Sequence, residues 1–214
     1  MAIKGEREGG IWHDNSLLAN CRAECYHLFM NSTQHREQKV AIFVDVQNMY
    51  YSAKNLYNAK VDFGKVLQES VAGRRLIRAF AYVIRADVGA EREFFEALYK
   101  RGFEVREKEL QVFYGGAKKG DWDVGICMDA VRMLPKIDVL ILVSGDGDYK
   151  DLLDYAKSQG VRTEVIAFGK TASHHLIEEA DYVLDMSKDA KRFLIGSPRF
   201  VSSLTENNDK SESQ

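Results

Sequence analysis

Carboxylate side chains follow two apolar runs that lie about a hundred residues apart in the chain. Asp45 ends the run at residues 40–44, and Asp146 and Asp148 come directly after the run at residues 139–143. Serine and glycine beside the second pair let the backbone turn sharply while the carboxylates project from it. Each run is too short for a helix and is apolar on both faces, as in a buried parallel strand. Two such strands that both end in aspartate indicate one acidic site.

Three further aspartates belong to a predicted helix at residues 121–134. We interpret Asp121 as a helix cap or first-turn acid, because the helix dipole favours carboxylates at that position. Asp123 projects from the same helix start and is predicted to face the strand ends. Asp129 lies six residues further on, about 120° round the helix, which makes it a second-rank candidate.

Several carboxylates converge only if their pKa values rise or a cation lies among them. A divalent cation is the simplest solution, and oxygen ligands from aspartate suit Mg²⁺ or Mn²⁺ better than zinc. Other predicted donors near the strand ends suit phosphate oxygens, and these are Asn48, Ser144, Lys118, Lys119 and Lys170. A metal beside phosphate contacts indicates phosphoryl chemistry.

Competing motifs do not fit. The stretch at residues 146–157 begins like a calcium-binding EF-hand loop but places Lys150 and Lys157 at positions that need an oxygen ligand. No phosphate-binding loop and no dinucleotide fingerprint occurs. A phosphatase with an aspartyl nucleophile needs a second aspartate where Gln47 stands. His174 and His175 open a short helix, where capping or contact with an anion is more typical than a metal site.

The elements that must position these residues alternate between strands and helices. Strands are predicted at residues 40–45, 75–84, 103–110, 139–143, 161–168 and 182–185, with helices between them. A flexible, glycine-flanked loop with Lys118 and Lys119 is predicted before the helix at residues 121–134. This order predicts a doubly wound, mainly parallel α/β sheet.

Length and composition predict one domain. The chain has 214 residues, 45% of them hydrophobic and 11% aromatic, which is enough to bury a full core. We expect that domain at residues 39–195, after an extension at residues 1–38 with room for one short helix. Residues 196–214 are polar, which predicts a disordered tail.

Charge and cysteine content limit the classes of function. A net charge of −2 lacks the basic excess typical of many nucleic-acid-binding proteins, but the acids of a metal site hide nearby basic groups in such a total. The odd number of cysteines fits a reducing compartment. No apolar run reaches the roughly 20 residues of a membrane helix, and no signal peptide is seen. We therefore expect a cytoplasmic protein without a membrane partner.

Three stretches resemble the signature motifs of NYN domains, which are PIN-like ribonuclease folds, in their LabA-like branch. The stretches are V-A-I-F-V-D-V-Q-N at residues 40–48, K-K-G-D-W-D-V-G-I-C-M-D-A at residues 118–130 and V-S-G-D-G-D-Y at residues 143–149. The resemblance covers about residues 39–187, with the three motifs in the family's order. G-K-T-A-S at residues 169–173 also resembles the family's loop after the next strand.

The resemblance implies a Rossmann-like fold and an endoribonuclease that depends on Mg²⁺ or Mn²⁺. It also implies metal-site acids at Asp45, Asp123 and Asp146, surrounded by Asn48, Asp129, Ser144 and Asp148. In the activity that we expect, water hydrolyses a phosphodiester bond of RNA. The RNA is expected to be single-stranded or structured. Asp148 positions or deprotonates that water, and Asn48, Lys118 and Lys119 orient the phosphate.

Two other functions stay open at this point. One is a non-catalytic regulatory module of the same fold that binds RNA or a protein. The other is a metal-dependent phosphatase or nucleotidase that acts on a small substrate. A homodimer or a protein partner also stays open. Metal titration and a substrate panel separate these alternatives.

Overall fold

The computed structural model describes residues 36–85, 90–112, 118–119 and 121–196. Its elements follow in chain order: β1 (Lys39–Asp45), α1 (Val46–Tyr57), β2 (Lys60–Val61), α2 (Phe63–Val71), β3 (Arg75–Arg85), α3 (Ala90–Lys100), β4 (Glu104–Glu109), β5 (Gln111–Val112), β6 (Lys118–Lys119), α4 (Asp123–Met133), β7 (Val139–Val143), α5 (Lys150–Ser158), β8 (Arg162–Ala167), α6 (His174–Glu179), β9 (Tyr182–Asp185), α7 (Ala190–Phe193) and β10 (Leu194–Ile195). The helix predicted within residues 1–38 and the tail predicted after Gly196 lie outside the described residues.

Six strands form one parallel sheet in the order β4-β3-β1-β7-β8-β9. The chain starts in the middle with β1, fills one half of the sheet outwards, and then returns to β7 and fills the other half. The connections therefore reverse direction between β1 and β7, and ligands of such sheets bind beside that switch point. The predicted doubly wound α/β fold is confirmed.

Helices cover both faces of the sheet, so the central strands are apolar throughout. Val40, Ile42 and Val44 of β1 pack towards α1, α2 and α3 in one core cluster. Ala41 and Phe43 point to the opposite face, where α4, α5 and α6 supply the second cluster. Alternate side chains of a strand point to opposite faces, which explains why β1 buries every residue of its apolar run. None of the helices in these described segments is long and apolar enough to cross a membrane.

Two small antiparallel pairs lie outside the main sheet and were not predicted. β2 pairs with β10, and β5 pairs with β6. The prediction of a flexible loop at Lys118 and Lys119 is therefore wrong, because these two residues form β6 and pair with Val112 and Gln111. Strands of two residues are too short to show the alternating pattern by which a sequence reveals a strand.

Candidate active site

The carboxyl ends of β1 and β7 are joined by Asn48, in the first turn of α1. Its backbone N–H donates to Oδ1 of Asp45 at 3.0 Å, so Asp45 caps the helix. Its side-chain Oδ1 accepts the N–H of Gly145, just after β7, at 3.0 Å. One residue thus holds Asp45 and the loop of Asp146 side by side. Because Oδ1 is occupied, only the amide NH₂ of Asn48 is left for the predicted phosphate contact.

The loop after β7 is shaped by hydrogen bonds to its own backbone. Oδ1 of Asp146 accepts the N–H of Asp148 at 3.1 Å and caps a short 3₁₀ helix at Gly147–Tyr149. Ser144 is fully buried, and its Oγ accepts the N–H of Asp146 at 3.2 Å. This geometry supports a role for Ser144 in shaping the loop and gives no support to its predicted contact with phosphate.

Two glycines let this loop approach the segment that follows β8. A Cβ on Gly145 would lie 3.0 Å from Cα of Ala172, and one on Gly147 would lie 2.7 Å from Oγ of Ser173. The backbone N–H of Ser173 donates to the carbonyl of Gly145 at 2.8 Å and fixes the contact. The G-x-G spacing therefore serves close packing, and it aims the carboxylate between the glycines at the cleft.

Four aspartates form what we call the acidic cluster: Asp45, Asp123, Asp146 and Asp148. Asp123, Asp146 and Asp148 each have a carboxylate oxygen within 4.8 Å of the other two. Asp123 lies in the first turn of α4, where the helix dipole favours a negative charge. Asp45 is the buried member, with only 8% of its surface exposed. Three of the four predicted metal-site acids, Asp45, Asp123 and Asp146, thus lie together with Asp148, and the fourth, Asp129, does not.

The hydroxyl of Tyr149, whose side chain is fully buried, lies between two members of the cluster. Its oxygen is 3.3 Å from Oδ2 of Asp45 and 3.0 Å from Oδ1 of Asp123. A phenol has one proton, so it donates to one carboxylate at a time. Burial first, and then the charges of Asp45 and Asp123, raise the pKa of Tyr149, which keeps this donor protonated.

Burial and neighbouring like charges disfavour the ionised forms of two members of the cluster. Burial raises the pKa of Asp45; the N–H of Asn48 opposes that shift, and the charge of Asp123 adds to it. Burial also raises the pKa of Asp123. The hydroxyl of Tyr149 opposes this shift, and the charge of Asp146 adds to it. Among the described residues other than Lys170, no lysine or arginine lies within salt-bridge distance of a member of the cluster. Such a site favours a cation.

An open cleft of about 340 Å³ gives access to three members of the cluster. Its lining consists of acids, amides, hydroxyls and two large aromatic rings: Asp45, Gln47, Asn48, Tyr51, Ser52, Asn55, Asp121, Trp122, Asp123, Asp146 and Thr171. No basic residue is among the lining residues that the structure describes. The carboxylates of this lining offer oxygen ligands for a hard cation. The amides and hydroxyls offer hydrogen bonds to an uncharged part of a ligand.

Asp129 lies apart from the cluster, on a side of α4 that contacts β3 and β4. Its Oδ2 accepts the hydroxyl of Tyr82 at 3.1 Å, and its Oδ1 pairs with Arg132 at 3.2 Å. Arg106 approaches the same carboxylate at 3.6 Å. These partners already balance the charge of Asp129, so the geometry gives its predicted metal-ligand role no support.

The predicted phosphate-binding lysines belong to chain segments that adjoin residues of the cleft lining. Lys118 and Lys119 form β6, shortly before Asp121. Lys170 is exposed in the loop after β8, beside Thr171, which does line the cleft. Contact of these lysines with phosphate stays a prediction.

Sequence reasoning missed the roles of Tyr149 and Trp122. Trp122 lines the cleft, and its Nε1 donates to the carbonyl of Val83 at 2.8 Å, which anchors the start of α4 on β3. Both aromatic residues stand next to a motif aspartate, Asp148 and Asp123 respectively. That adjacency was the available signal, but a buried aromatic residue usually indicates only core packing.

We expect Tyr149→Phe to move the pH range of Mn²⁺ binding upwards. The hydroxyl stabilises the charged forms of Asp45 and Asp123, so its loss raises both pKa values further. Protons then compete with the metal up to a higher pH. Calorimetric Mn²⁺ titrations of parent and variant at a series of pH values measure the shift.

Tyr155→Phe is the matched control, since Tyr155 lies on α5 with 45% of its surface exposed, outside the cleft. It should leave the pH dependence unchanged. If Tyr149→Phe and the parent lose Mn²⁺ at the same pH, the hydroxyl does not tune the cluster.

Comparisons with known proteins agree with this fold and motif order. Residues 39–187 match the NYN domain. The chain is 27% identical over 168 residues to the low amplitude and bright protein LabA of Synechococcus elongatus, covering 74% of this chain and 89% of that protein. A crystal structure of a protein of unknown function from Vibrio parahaemolyticus superposes with a TM-score of 0.69 at 33% identity, covering 76% of this chain and 99% of the other. The chain belongs to the NYN domain family and has its PIN-like α/β fold.

Proposed function

We propose that the chain is a metal-dependent endoribonuclease that hydrolyses RNA phosphodiester bonds at the acidic cluster. The observation that carries this proposal is the approach of three carboxylates to within 4.8 Å beside the switch point of the sheet. Membership of the NYN family, which is of nuclease type, favours RNA over other phosphate esters. The open cleft lets a chain substrate reach the carboxylates from solvent.

The donor set of the cluster fits a hard divalent cation. Adjacent oxygen ligands of an octahedral Mg²⁺ ion stand about 3 Å apart and opposite ones about 4 Å, so sharing one ion draws the three carboxylate oxygens together by up to about 2 Å. We propose that Asp123, Asp146 and Asp148 hold Mg²⁺ or Mn²⁺, with Asp45 as the buried fourth acid. When bound, the ion supplies positive charge that stabilises the negative charge developing on the phosphate.

The chain's own groups divide the remaining tasks. Asp148 is exposed, and we propose that the carboxylate oxygen that it does not give to the ion orients the attacking water or takes its proton. We propose that the amide NH₂ of Asn48, which lines the cleft, donates to a phosphate oxygen. Lys118, Lys119 and Lys170 are proposed to contact neighbouring phosphates, since they lie in segments next to the cleft.

Incubating the purified chain with RNA, with and without metal, tests this proposal. The panel holds single-stranded RNA, structured RNA, DNA of the same sequence and a small phosphate ester, each with Mg²⁺, Mn²⁺ or a chelator. We expect internal cleavage of RNA only when metal is present. RNA binding without cleavage would favour a binding module, and hydrolysis of the small ester alone would favour a phosphatase.

We expect Mn²⁺ to raise the melting temperature of the chain by about 5 to 10 °C. An ion at about a hundred times its Kd adds about 2.7 kcal/mol of stability, and each kcal/mol shifts the melting temperature of a protein of this size by about 2 to 4 °C. Asp123→Asn removes a proposed ligand and a source of repulsion together, so its metal-free form should melt no lower than the parent, with a smaller Mn²⁺ shift. Thermal denaturation with a chelator and with Mn²⁺ measures both effects. An undiminished shift in Asp123→Asn would exclude this carboxylate as a ligand.

The proposed partner is therefore RNA. Nothing in the part of the chain that the structure describes supports the homodimer or the protein partner that the sequence left open.

A further inference from the structure

One side of α1 lines the cleft and carries no charged residue. Gln47, Tyr51 and Asn55 follow one another at intervals of four residues, so their side chains share one face of the helix. All three line the cleft. We call these three residues the α1 stripe. The stripe therefore presents two amides and an aromatic ring, and no charge, to the cleft.

The side chains of the α1 stripe are available for a ligand. Tyr51 has 51% of its surface exposed although it lines the cleft. Its ring is held edge-on by the ring of Tyr50, with the two centroids 5.4 Å apart. Within the described segments, the amides of Gln47 and Asn55 make no hydrogen bond to another residue. A supported ring and two amides without a hydrogen-bond partner among the described residues are thus presented together.

We propose that the α1 stripe binds one unpaired RNA base next to the bond that is cleaved. The ring of Tyr51 stacks on the base, and the amides of Gln47 and Asn55 hydrogen-bond to its edge. This inference rests on the proposed ribonuclease function and adds a subsite that contributes to sequence preference. The stripe and the acidic cluster line the same cleft, so a base on one places its own phosphate near the other.

The chemistry of the stripe favours a base over other ligands. Aromatic rings stack on bases of single strands, whereas the bases of a duplex are already stacked on one another. Amides offer both donors and acceptors, which is also true of base edges. The stripe carries no positive charge, so it is unsuited to phosphate. A cleft of about 340 Å³ also lies at the low end of the range for small-ligand pockets and suits a single nucleotide.

The test measures Kd for a short unstructured RNA and for a duplex of the same sequence. A chelator keeps the RNA intact, and the full chain is used throughout. We expect Tyr51→Ala to weaken single-strand binding about 5- to 100-fold, the usual range for loss of one stacked base. Tyr51→Phe keeps the ring and should bind as the parent does. Duplex binding should be the same in all three proteins.

Tyr99→Ala is the matched control, because Tyr99 on α3 is exposed to 52%, about as much as Tyr51, and lies outside the cleft. It should leave Kd unchanged. Across homopolymers of the four bases, Asn55→Ala should reduce the parent's preference among bases.

Two results would overturn the inference while leaving the ribonuclease proposal intact. In the first, the parent cleaves RNA and Tyr51→Ala binds the single strand as tightly as the parent does. In the second, Tyr51→Ala loses single-strand and duplex binding to the same extent. A parent that neither binds nor cleaves RNA would overturn both.

Discussion

Asp146→Asn is expected to lower the rate of RNA cleavage by at least about a thousand-fold, because a catalytic metal contributes several kcal/mol to the transition state. Asp146 contributes one of the three closely spaced carboxylate oxygens. Asparagine keeps the side-chain oxygen that accepts the N–H of Asp148, so the cap of the loop survives. The change also removes one of several neighbouring negative charges. Stability should therefore stay the same or increase while activity is lost.

Cleavage rates in Mn²⁺ and metal-free melting temperatures should be measured on the same preparations. Asp154→Asn is the matched control, since Asp154 is an exposed acid on α5 outside the cluster and has the same charge. The control should cleave at the parent rate. A fully active Asp146→Asn would remove this residue from the proposed site, and an unfolded one would show that its role is structural.

Arg74→Met should have the largest effect on stability, about 3 to 5 kcal/mol, because it removes the two-pronged partner of a buried acid. Arg74 and Glu164 form a two-pronged ion pair, with both N–O distances at 2.8 Å and side-chain exposures of 1% and 3%. The guanidinium also donates to the carbonyl of Ser70 at 2.7 Å. Loss of the cation leaves Glu164 with a single contact from Arg162, at 3.2 Å.

Chemical denaturation of parent and variants measures this loss directly. Adding Glu164→Gln to Arg74→Met removes the buried charge that has only Arg162 left as an ionic partner, so the double variant should regain roughly half of the lost free energy or more. Arg75→Met is the control. Arg75 is next to Arg74 in the chain, but its guanidinium is exposed, so its loss should change the free energy of unfolding little. If the single and double variants lose equal stability, the buried charge is not the cause.

Local patterns were sufficient to predict the main sheet. β1 and β7 are apolar on both faces, and helices of the right spacing lie between the strands, so a parallel α/β sheet was the simplest arrangement. The Arg74–Glu164 pair was out of reach, since its members are 90 residues apart and each resembles an ordinary surface residue in the sequence. Pairing of β2 with β10 likewise depends on the ends of the domain meeting in space.

The candidate site was predictable where strand ends determine it. Asp45 and Asp146 follow buried strands, so parallel pairing brings them to one edge of the sheet. The direction in which a helix presents its side chains is harder to predict. Asp129 is on α4 with Asp123, but its face packs against Tyr82 and Arg106 and not against the cleft. The hydroxyl of Tyr149 contacts Asp45 and Asp123, and the three residues belong to three separate elements. No local sequence pattern predicts such a contact.

Anomalous X-ray diffraction from crystals grown with Mn²⁺ tests the metal site most directly, because the ion itself is located. We expect a peak between about 2.0 and 2.4 Å from carboxylate oxygens of Asp123 and Asp146, with Asp148 or Asp45 completing the set. The same experiment on Asp146→Asn should give a weaker peak or none. A parent crystal with no peak at the acidic cluster, at a Mn²⁺ concentration that supports RNA cleavage, would contradict the proposed site.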